Sequence, residues 1–479
     1  MVPASRAREL AERCRNRVRQ WLMEQGLRTV DRLLEEAGLR ESGAAGDESI
    51  YAYEQVRQQL KDFPEVHWAV TPFSLARPRN EEKQTDLDTG PLANAMEPFF
   101  GAKEAGFLAS PAWKVLREKI EWPDGMTFFK PNPGVLYPAF YELNERLMAS
   151  AKSVRPFAQT REEGWRCTLT GETEWLTHDR DLLSVPRGQR LSRSDPRFRE
   201  GQHHETVWTL VADRRPAWAR KGEHLGALPA IKRLWPTLFA EEVCEATGGV
   251  TDRFIVSTHA MALAHQIRGW LDAGAQLKPN QKTRLLEAKG RVALPAQIAA
   301  NPQYQPHIEL AARIPAVIEE AREAEERDEE RELAEARRFV RSVLCGDEDD
   351  APQLENYYAL LLMDGDHMGA ILAGDESAGT SIRFLDSFHP QVRELFDGVS
   401  GLLKQYANQS RPVSPNRHLV ISGALNDFSQ VVAPWVVERE HAGRLIYAGG
   451  DDVLAMLPVA DALSAAARLR KAYSGDGAD

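Results

Sequence analysis

Cysteine is scarce in this chain of 479 residues, and its few cysteines stand far apart. They form no C-x-x-C pair; the four are Cys14, Cys167, Cys244 and Cys345. A disulfide scaffold requires cysteines that pair, and a cysteine-rich zinc site requires closely spaced ones. The spacing therefore argues against both and predicts reduced, mostly structural thiols.

Long apolar stretches are also missing from the sequence. No run approaches the roughly 18 to 20 apolar residues that span a bilayer. The charged N-terminus is not followed by the apolar core of about 7 to 15 residues that a secretory signal requires. We therefore expect no membrane span and a cytoplasmic location.

Net positive charge is lacking as well. The formal charge is −11, and the 43% hydrophobic and 27% charged residues are ordinary for a globular protein. A negative total opposes general affinity for nucleic-acid backbones, although a local basic face can still bind one. A chain of this length is expected to contain on the order of two to four domains.

The first two thirds of the chain combine helical patterns with irregular stretches. Apolar residues recur at helical spacing over residues 1–40. The segment FPEVHWAVTPF, residues 63–73, predicts a strand because it is aromatic, β-branched and bounded by prolines. Residues 160–224 mix tryptophan and arginine without periodicity, which indicates an irregular insert. Residues 226–345 predict helices, the last of them a charge-dense, solvated one.

The pattern changes near residue 355, where a new domain is predicted to start. The run YYALLLMDGDHMG predicts a strand that ends at Asp364. Helical patterns follow at about 389–408 and 416–440. The segment RLIYAGGDDVLAMLPV, residues 444–459, predicts a hairpin with a Gly-Gly-Asp-Asp turn, and Asp461 is placed to cap one more helix.

Three carboxylates in this region predict a metal–nucleotide site. Asp364 ends one strand, whereas Asp451 and Asp452 occupy the hairpin tip, so all three converge if the strands are neighbours. Clustered carboxylates repel one another unless a divalent cation neutralises them, and Mg²⁺ prefers oxygen ligands together with substrate phosphates. The alternative is a plain hairpin turn and a plain helix cap. That alternative weakens because GGDD is expected in fewer than roughly one in a hundred such chains.

The segments MDGDHMG and IYAGGDDVLAMLP resemble the palm motifs of the large subunit of type III CRISPR effector complexes, in particular the Cmr-type (III-B) branch. Weaker similarities follow in the same order, so the resemblance extends over about residues 50–470; they are FPEVHWAVTPF, GWRCTLTGETEWL, GEHLGALPAIKRLWP and VSTHAMALAHQI.

The resemblance implies an α+β fold with two ferredoxin-like palm lobes of the nucleotide cyclase/polymerase type, joined by a small insert and a helical region. The implied domains are a non-catalytic first lobe with N-terminal helices (1–155), a degenerate zinc-ribbon-like insert (156–225), a helical domain (226–350) and the second palm (355–479). The second palm is expected to be truncated, because the chain ends soon after GGDD.

The resemblance also implies an activity, namely conversion of ATP to cyclic oligoadenylates when target RNA binds, with guide RNA and other effector subunits as partners. By position, Asp364, Asp451 and Asp452 would hold Mg²⁺ or Mn²⁺. The supporting positions are Gly365 through its carbonyl, Gly449 and Gly450 at the phosphates, Asp366 beside the site, and Ser422 at the adenine or simply solvated.

Two departures from the family restrict these expectations. A nuclease His-Asp doublet is absent from residues 1–60, and His178-Asp179 lacks the accompanying ligands, so no DNA cleavage is predicted. Thr170 stands where a second zinc-binding cysteine would follow Cys167, which makes zinc an unfavoured cofactor. Alternative zinc ligands would be His178, His203 and His204.

Two other functions remain open at the level of sequence. One is a catalytically idle scaffold that holds guide RNA and partner subunits. The other is a stand-alone GGDEF-like dinucleotide cyclase, although Asp452 stands where that motif has glutamate. For RNA contact, an arginine cluster offers either a phosphate-binding surface or an exposed loop; it comprises Arg187, Arg190, Arg193, Arg197 and Arg199.

Overall fold

Two compact units make up the chain in the computed structural model. The first comprises Met1–Lys119 and Lys130–Arg253, and the second comprises Ile120–Phe129 and Phe254–Asp479. The structure describes residues 3–40, 50–78, 87–154, 162–249, 256–288, 290–323, 329–375 and 379–475. Within those ranges, each helix is too short or too polar to cross a membrane.

The first unit is mainly helical. Its helices are α1 (Ala7–Ala37), α2 (Tyr51–Leu60), α3 (Gly90–Phe100), α4 (Pro111–Leu116), α5 (Tyr137–Ser153), α6 (Val207–Arg214) and α7 (Ala227–Thr247). Leu34 of α1, Val56 of α2 and Trp208 of α6 are at most 1% exposed and share one core. Each such apolar side chain contributes about 1.5–3 kcal/mol on burial, which joins these helices into one unit.

The strand predicted at residues 63–73 is wrong. Residues 65–72 have no regular structure, and Phe73–Leu75 forms a single 3-10 turn. The aromatic segment packs against a helix instead of a sheet, since Phe73 stacks on Phe140 of α5 at 4.3 Å between ring centroids. In the described part of this unit the strands are only β1 (Arg77–Pro78) and β2 (Leu87–Asp88), and a first palm-like lobe stays a prediction.

The second unit contains a core of helices that precede its main sheet. They are α8 (Thr258–Asp272), α9 (Pro279–Glu287), α10 (Ala296–Ala299), α11 (Ile308–Glu323) and α12 (Glu329–Leu344). Ile267, Ile314 and Val340 are completely buried between α8, α11 and α12. The charge-dense α12 is therefore amphipathic, with one face in the core; residues 324–328 of that run lie outside the described residues.

A hairpin from early in the chain packs within this second unit. It consists of β3 (Ile120–Glu121) and β4 (Thr127–Phe129). Trp122 and Phe128 lie 5.2 Å and 5.7 Å from Phe396, and Phe128 lies 5.2 Å from Tyr406, between ring centroids. Aromatic contacts at these distances are attractive beyond their burial, so tilted and edge-to-face ring contacts help to hold the hairpin.

The main sheet of this unit has three antiparallel strands in the order β5-β7-β6. The strands are β5 (Tyr358–Met363), β6 (Arg444–Gly449) and β7 (Asp452–Pro458). On one face, Val453, Ala455 and Leu457 of β7 are completely buried against the helices that follow β5 and β7. The α+β class predicted from sequence is confirmed by this sheet and its helices.

The segment between β5 and β6 differs in part from its predicted pattern. The first helix after β5, α13 (Met368–Ala373), is short. The helix predicted at 389–408 is interrupted: α14 (Pro390–Arg393) is short, and α15 (Gly401–Asn408) begins only at Gly401. Gly398 and Gly401 have left-handed φ angles of 78° and 62°. The predicted helix at 416–440 is present, as α16 (Pro415–Asp427), a π turn, α17 (Ala433–Trp435) and a second π turn to Glu440.

The last helix, α18 (Val459–Ser474), begins without the predicted cap. Its N-cap residue is Pro458, and Asp461 lies inside the first turn. The Asp461 carboxylate instead accepts hydrogen bonds from the Ala442 N–H at 2.9 Å and from Arg268 of α8 at 3.1 Å. Asp461 therefore links three segments of the second unit, and the cap prediction is wrong.

Candidate metal centre

Strand register brings the three aspartates of the sequence motif together. Met363 pairs with Val453, so the next residues outward are Asp364, which directly follows β5, and Asp452, the first residue of β7. Asp451 occupies the turn between β6 and β7. One ligand oxygen from each of the three carboxylates lies within 4.8 Å of the other two. The convergence depends on β7, which pairs with both β5 and β6. β5 and β6 follow one another in sequence but are not neighbours in the sheet.

The three carboxylates repel one another in the absence of a cation. The hydrogen bond with Asp364, followed by desolvation and by the negative charges of Asp364 and Asp451, raises the pKa of Asp452. A shared proton relieves this repulsion, and so would a divalent cation. One exposed and two partly exposed carboxylates, with oxygen ligands at this spacing, fit Mg²⁺ or Mn²⁺, which prefer such donors.

The motif glycines are explained by the space around them. A Cβ at Gly365 would collide with the Tyr473 hydroxyl and lie 2.7 Å from the Asp451 Cβ, and a Cβ at Gly449 would collide with the Tyr447 hydroxyl. Gly450 has open space instead, but its φ of 74° is the left-handed conformation that favours glycine. Contact of Gly449 and Gly450 with phosphate stays a prediction.

Tyr473 is a residue of the site that the sequence did not reveal. It extends from α18, its ring meets Phe428 edge to face at 5.0 Å, and its hydroxyl donates to the Met368 Sδ at 3.3 Å. Burial, and then the charges of Asp451 and Asp364, raise the pKa of Tyr473. The helical spacing of Leu469 and Tyr473 marks a core position, but the contact with Gly365 requires the tertiary fold.

An exposed apolar row lies beside the carboxylates on the open face of the sheet. Leu362 pairs with Leu454, and Leu454 pairs with Tyr447 across a bulge in β6. Because side chains alternate along a strand, Leu362 and Asp364 project to the same face. Leu362 is 75% exposed and Tyr447 54%. This row offers an apolar surface next to the acidic group.

The other predicted positions are not drawn into the acidic group. Asp366 is exposed and lies outside the three-carboxylate group. His367, which follows it, has a left-handed φ of 59° at the start of α13. Ser422 is exposed on α16, and its contact with adenine stays a prediction.

The insert holds Cys167 in a network of hydrogen bonds. Burial acts to raise the pKa of the thiol, but hydrogen bonds from the backbone of Gly226 and from Thr170 outweigh burial and lower it. The Arg199 N–H donates to His203 Nδ1 at 3.0 Å. Among the described residues, the aspartate triad is the one group of three or more potential ligands close enough for a metal.

The arginine cluster of the insert is largely engaged within the protein. Arg190 is buried, lies over the rings of Trp165 and Trp175 at 5.5 Å and 5.0 Å, and donates to the Val185 carbonyl at 2.9 Å. Burial, and then the charge of Arg187, lower the pKa of Arg190 to about 10. Two other arginines of the cluster form ion pairs, Arg193 with Glu205 and Arg197 with Asp195. Arg190 therefore has a structural role, whereas RNA contact by the exposed Arg193 and Arg197 stays a prediction.

The sheet, its covering helices and the acidic hairpin define a palm domain of the nucleotidyltransferase-like class. Residues 357–476 match the family model described as Cas10/Cmr2, second palm domain. The predicted resemblance of the chain to the Cmr-type large subunit of type III-B CRISPR systems is confirmed.

Two curated relatives give the same result. The chain is 42% identical over 117 residues to the CRISPR system Cmr subunit Cmr2 of Pyrococcus furiosus, which covers 24% of this chain and 12% of that protein. It is 44% identical over 63 residues to the CMR subunit Cmr2 of Saccharolobus solfataricus, covering 13% of this chain and 6% of that protein. The matches thus span about an eighth or less of these relatives.

A solved structure is also similar over a longer range. A chain of the type III-B Cmr-beta cryo-EM structure in the apo state aligns with 81% of this chain and 47% of its own length. The TM-score is 0.45 and the sequence identity 15%.

Proposed function

We propose that this chain acts in the cytoplasm as large subunit of an RNA-guided type III CRISPR effector complex, and that its palm makes cyclic oligoadenylates from ATP when target RNA binds. The observation that carries the proposal is the convergence of Asp364, Asp451 and Asp452 in a Cas10/Cmr2-type second palm. Other effector subunits, guide RNA and target RNA are the proposed partners.

The proposed reaction is nucleotidyl transfer. A ribose 3′-hydroxyl attacks the α-phosphate of ATP, a new phosphodiester forms, and pyrophosphate leaves with the electrons of the broken bond. Mg²⁺ or Mn²⁺, when bound, would activate the hydroxyl and neutralise the departing pyrophosphate. Asp364, Asp451 and Asp452 would hold the cations, and the Gly365 carbonyl would add a neutral oxygen donor.

The chain's own residues prepare this chemistry in two ways. Because the pKa of Asp452 is raised, protons compete with a cation for this carboxyl group. The exposed row of Leu362, Leu454 and Tyr447 offers an apolar surface for the base and ribose of the nucleotide. Ser422 would add a polar contact to adenine.

The test uses the effector complex assembled around this chain with guide and target RNA, supplied with ATP and Mn²⁺. Chromatography should detect oligoadenylate from the wild type and none from the double variant Asp451→Ala with Asp452→Ala. The matched control is Asp349→Ala with Asp350→Ala, which removes two adjacent exposed aspartates outside the palm sheet and should retain activity. Absence of product from the wild-type, target-bound complex would refute the proposal. Unchanged interference in the double variant would then support the idle scaffold.

A further inference from the structure

We infer that Tyr473 is a positioning residue of the palm site: its hydroxyl wedges against Gly365 and fixes the loop that carries Asp364 relative to the turn that carries Asp451. The inference rests on the proposed function, in which the three aspartates hold a metal ion. It adds a residue from α18 that belongs to neither of the two sequence motifs, MDGDHMG and GGDD.

The first observation is the space beside Gly365. That space is filled by the Tyr473 hydroxyl and by the Asp451 side chain, whose Cβ and Oδ2 would lie 2.7 Å and 3.1 Å from an added Cβ. The backbone of loop 364–366 therefore packs at Gly365 against both a tyrosine and a carboxylate of the site.

The second observation is how firmly the tyrosine ring is held. The ring meets Phe428 edge to face at 5.0 Å and packs with the core that contains the completely buried Leu469. The hydroxyl donates to the Met368 Sδ, and a thioether is a weak acceptor. Ring packing therefore sets the position of the hydroxyl, and the hydroxyl in turn contacts the loop at Gly365 and at Met368.

The consequence concerns the spacing of the carboxylates. Asp364 immediately precedes Gly365, and the Asp451 side chain lies against Gly365. Loss of the wedge leaves all three aspartates in the chain but frees the loop from the turn. Groups behind metal ligands commonly change metal affinity about 10-fold to 100-fold when they are removed, because they orient the ligands. Tyr473 acts in this way and is not itself a ligand.

The first test measures Mn²⁺ binding to the full 479-residue chain by electron paramagnetic resonance, in the absence of ATP. Tyr473→Phe keeps the ring and removes only the hydroxyl. It should weaken Mn²⁺ binding about 10-fold while the thermal unfolding midpoint stays close to that of the wild type. The matched control is Tyr304→Phe, which removes a hydroxyl that donates to Asp272 among the helices before the palm and should leave Mn²⁺ affinity unchanged.

The second test is a rescue. Gly365→Ala should weaken Mn²⁺ binding because the new Cβ displaces the hydroxyl and Asp451. Tyr473→Phe should recover part of that loss in the double variant, since the tightest contact of the new Cβ is gone. Such non-additivity is expected of residues in contact. A purely structural role of Tyr473 would give additive losses that follow the unfolding midpoint.

The outcomes separate this inference from the proposed function. Absence of Mn²⁺ binding by the wild-type chain overturns the proposed function and this inference with it. If the wild type binds Mn²⁺, equal affinity of wild type and Tyr473→Phe together with additive effects in the double variant overturns this inference alone.

Discussion

At the scale of single residues, Asp452 combines a functional position with an electrostatic cost. Its pKa is raised by Asp364, by desolvation and by Asp451. A carboxyl group with a raised pKa binds protons more strongly in the folded than in the unfolded chain. The stability of the metal-free protein therefore falls as the pH rises through that pKa.

Removing this charge is expected to stabilise the metal-free protein. Asp452→Asn should raise the thermal unfolding midpoint in chelator near neutral pH, and the gain should disappear below about pH 4, where carboxyl groups are protonated in both variants. Calorimetry measures the unfolding midpoint at both pH values. The exposed Asp349→Asn is the control and should shift the midpoint less. A lower midpoint for Asp452→Asn would show that the triad is not under mutual repulsion.

The sequence predicted some residues of the site and not others for a clear physical reason. Asp364, Asp451 and Asp452 stand at strand ends and a hairpin tip, which are local patterns. Tyr473 acts through contact with Gly365, far away along the chain, and no local pattern reports such a contact. Arg190 is a related case: its neighbours in sequence suggest a basic surface, whereas the fold buries it between two tryptophans.

At the scale of secondary-structure elements, Asp461 links α18 to α8 and to the loop before β6. Burial raises its pKa, but the hydrogen bond from the Ala442 N–H and the ion pair with Arg268 outweigh burial and hold the pKa below its usual value. Such a group stabilises the fold above its unfolded pKa. That contribution is lost as the pH falls through the lower, folded pKa.

Asp461→Ala should therefore lower the free energy of unfolding of the second unit by about 2–3 kcal/mol near neutral pH, because it leaves Arg268 and the Ala442 N–H without their buried acceptor. The difference from wild type should shrink as the pH is lowered below about 4. Denaturant titrations monitored by hydrogen exchange provide the measurement. Asp427→Ala, on the exposed side of α16, is the control. Equal effects of the two substitutions would contradict the proposed link.

Elements with a strong local signal were predictable, and those that depend on packing were not. The β6-β7 hairpin has a Gly-rich turn between apolar strands, and the helix at 415–440 has a sustained apolar face. The aromatic segment at 63–73 has a strand-like composition, but it packs on α5 without a partner strand in the described structure. Two left-handed glycines, Gly398 and Gly401, interrupt the pattern at 389–408.

At the scale of the whole molecule, packing assigns the β3-β4 hairpin to the second unit although the chain on both sides of it belongs to the first. Composition along the chain cannot reveal this assignment, because it depends on contacts between residues far apart in sequence. Trp122 contacts Phe396, and Phe128 contacts Tyr406. The four domain boundaries derived from the resemblance stay predictions. All three carboxylates, Tyr473 and the apolar row lie in the second unit, which carries the proposed chemistry.

The most direct test of that chemistry is the anomalous diffraction of crystals of this chain soaked with Mn²⁺ and ATP. The account predicts Mn²⁺ peaks bonded to carboxylate oxygens of Asp364, Asp451 and Asp452, with the triphosphate on the same ions. Mn²⁺–ATP bound elsewhere, with no peak among these three side chains, would contradict it.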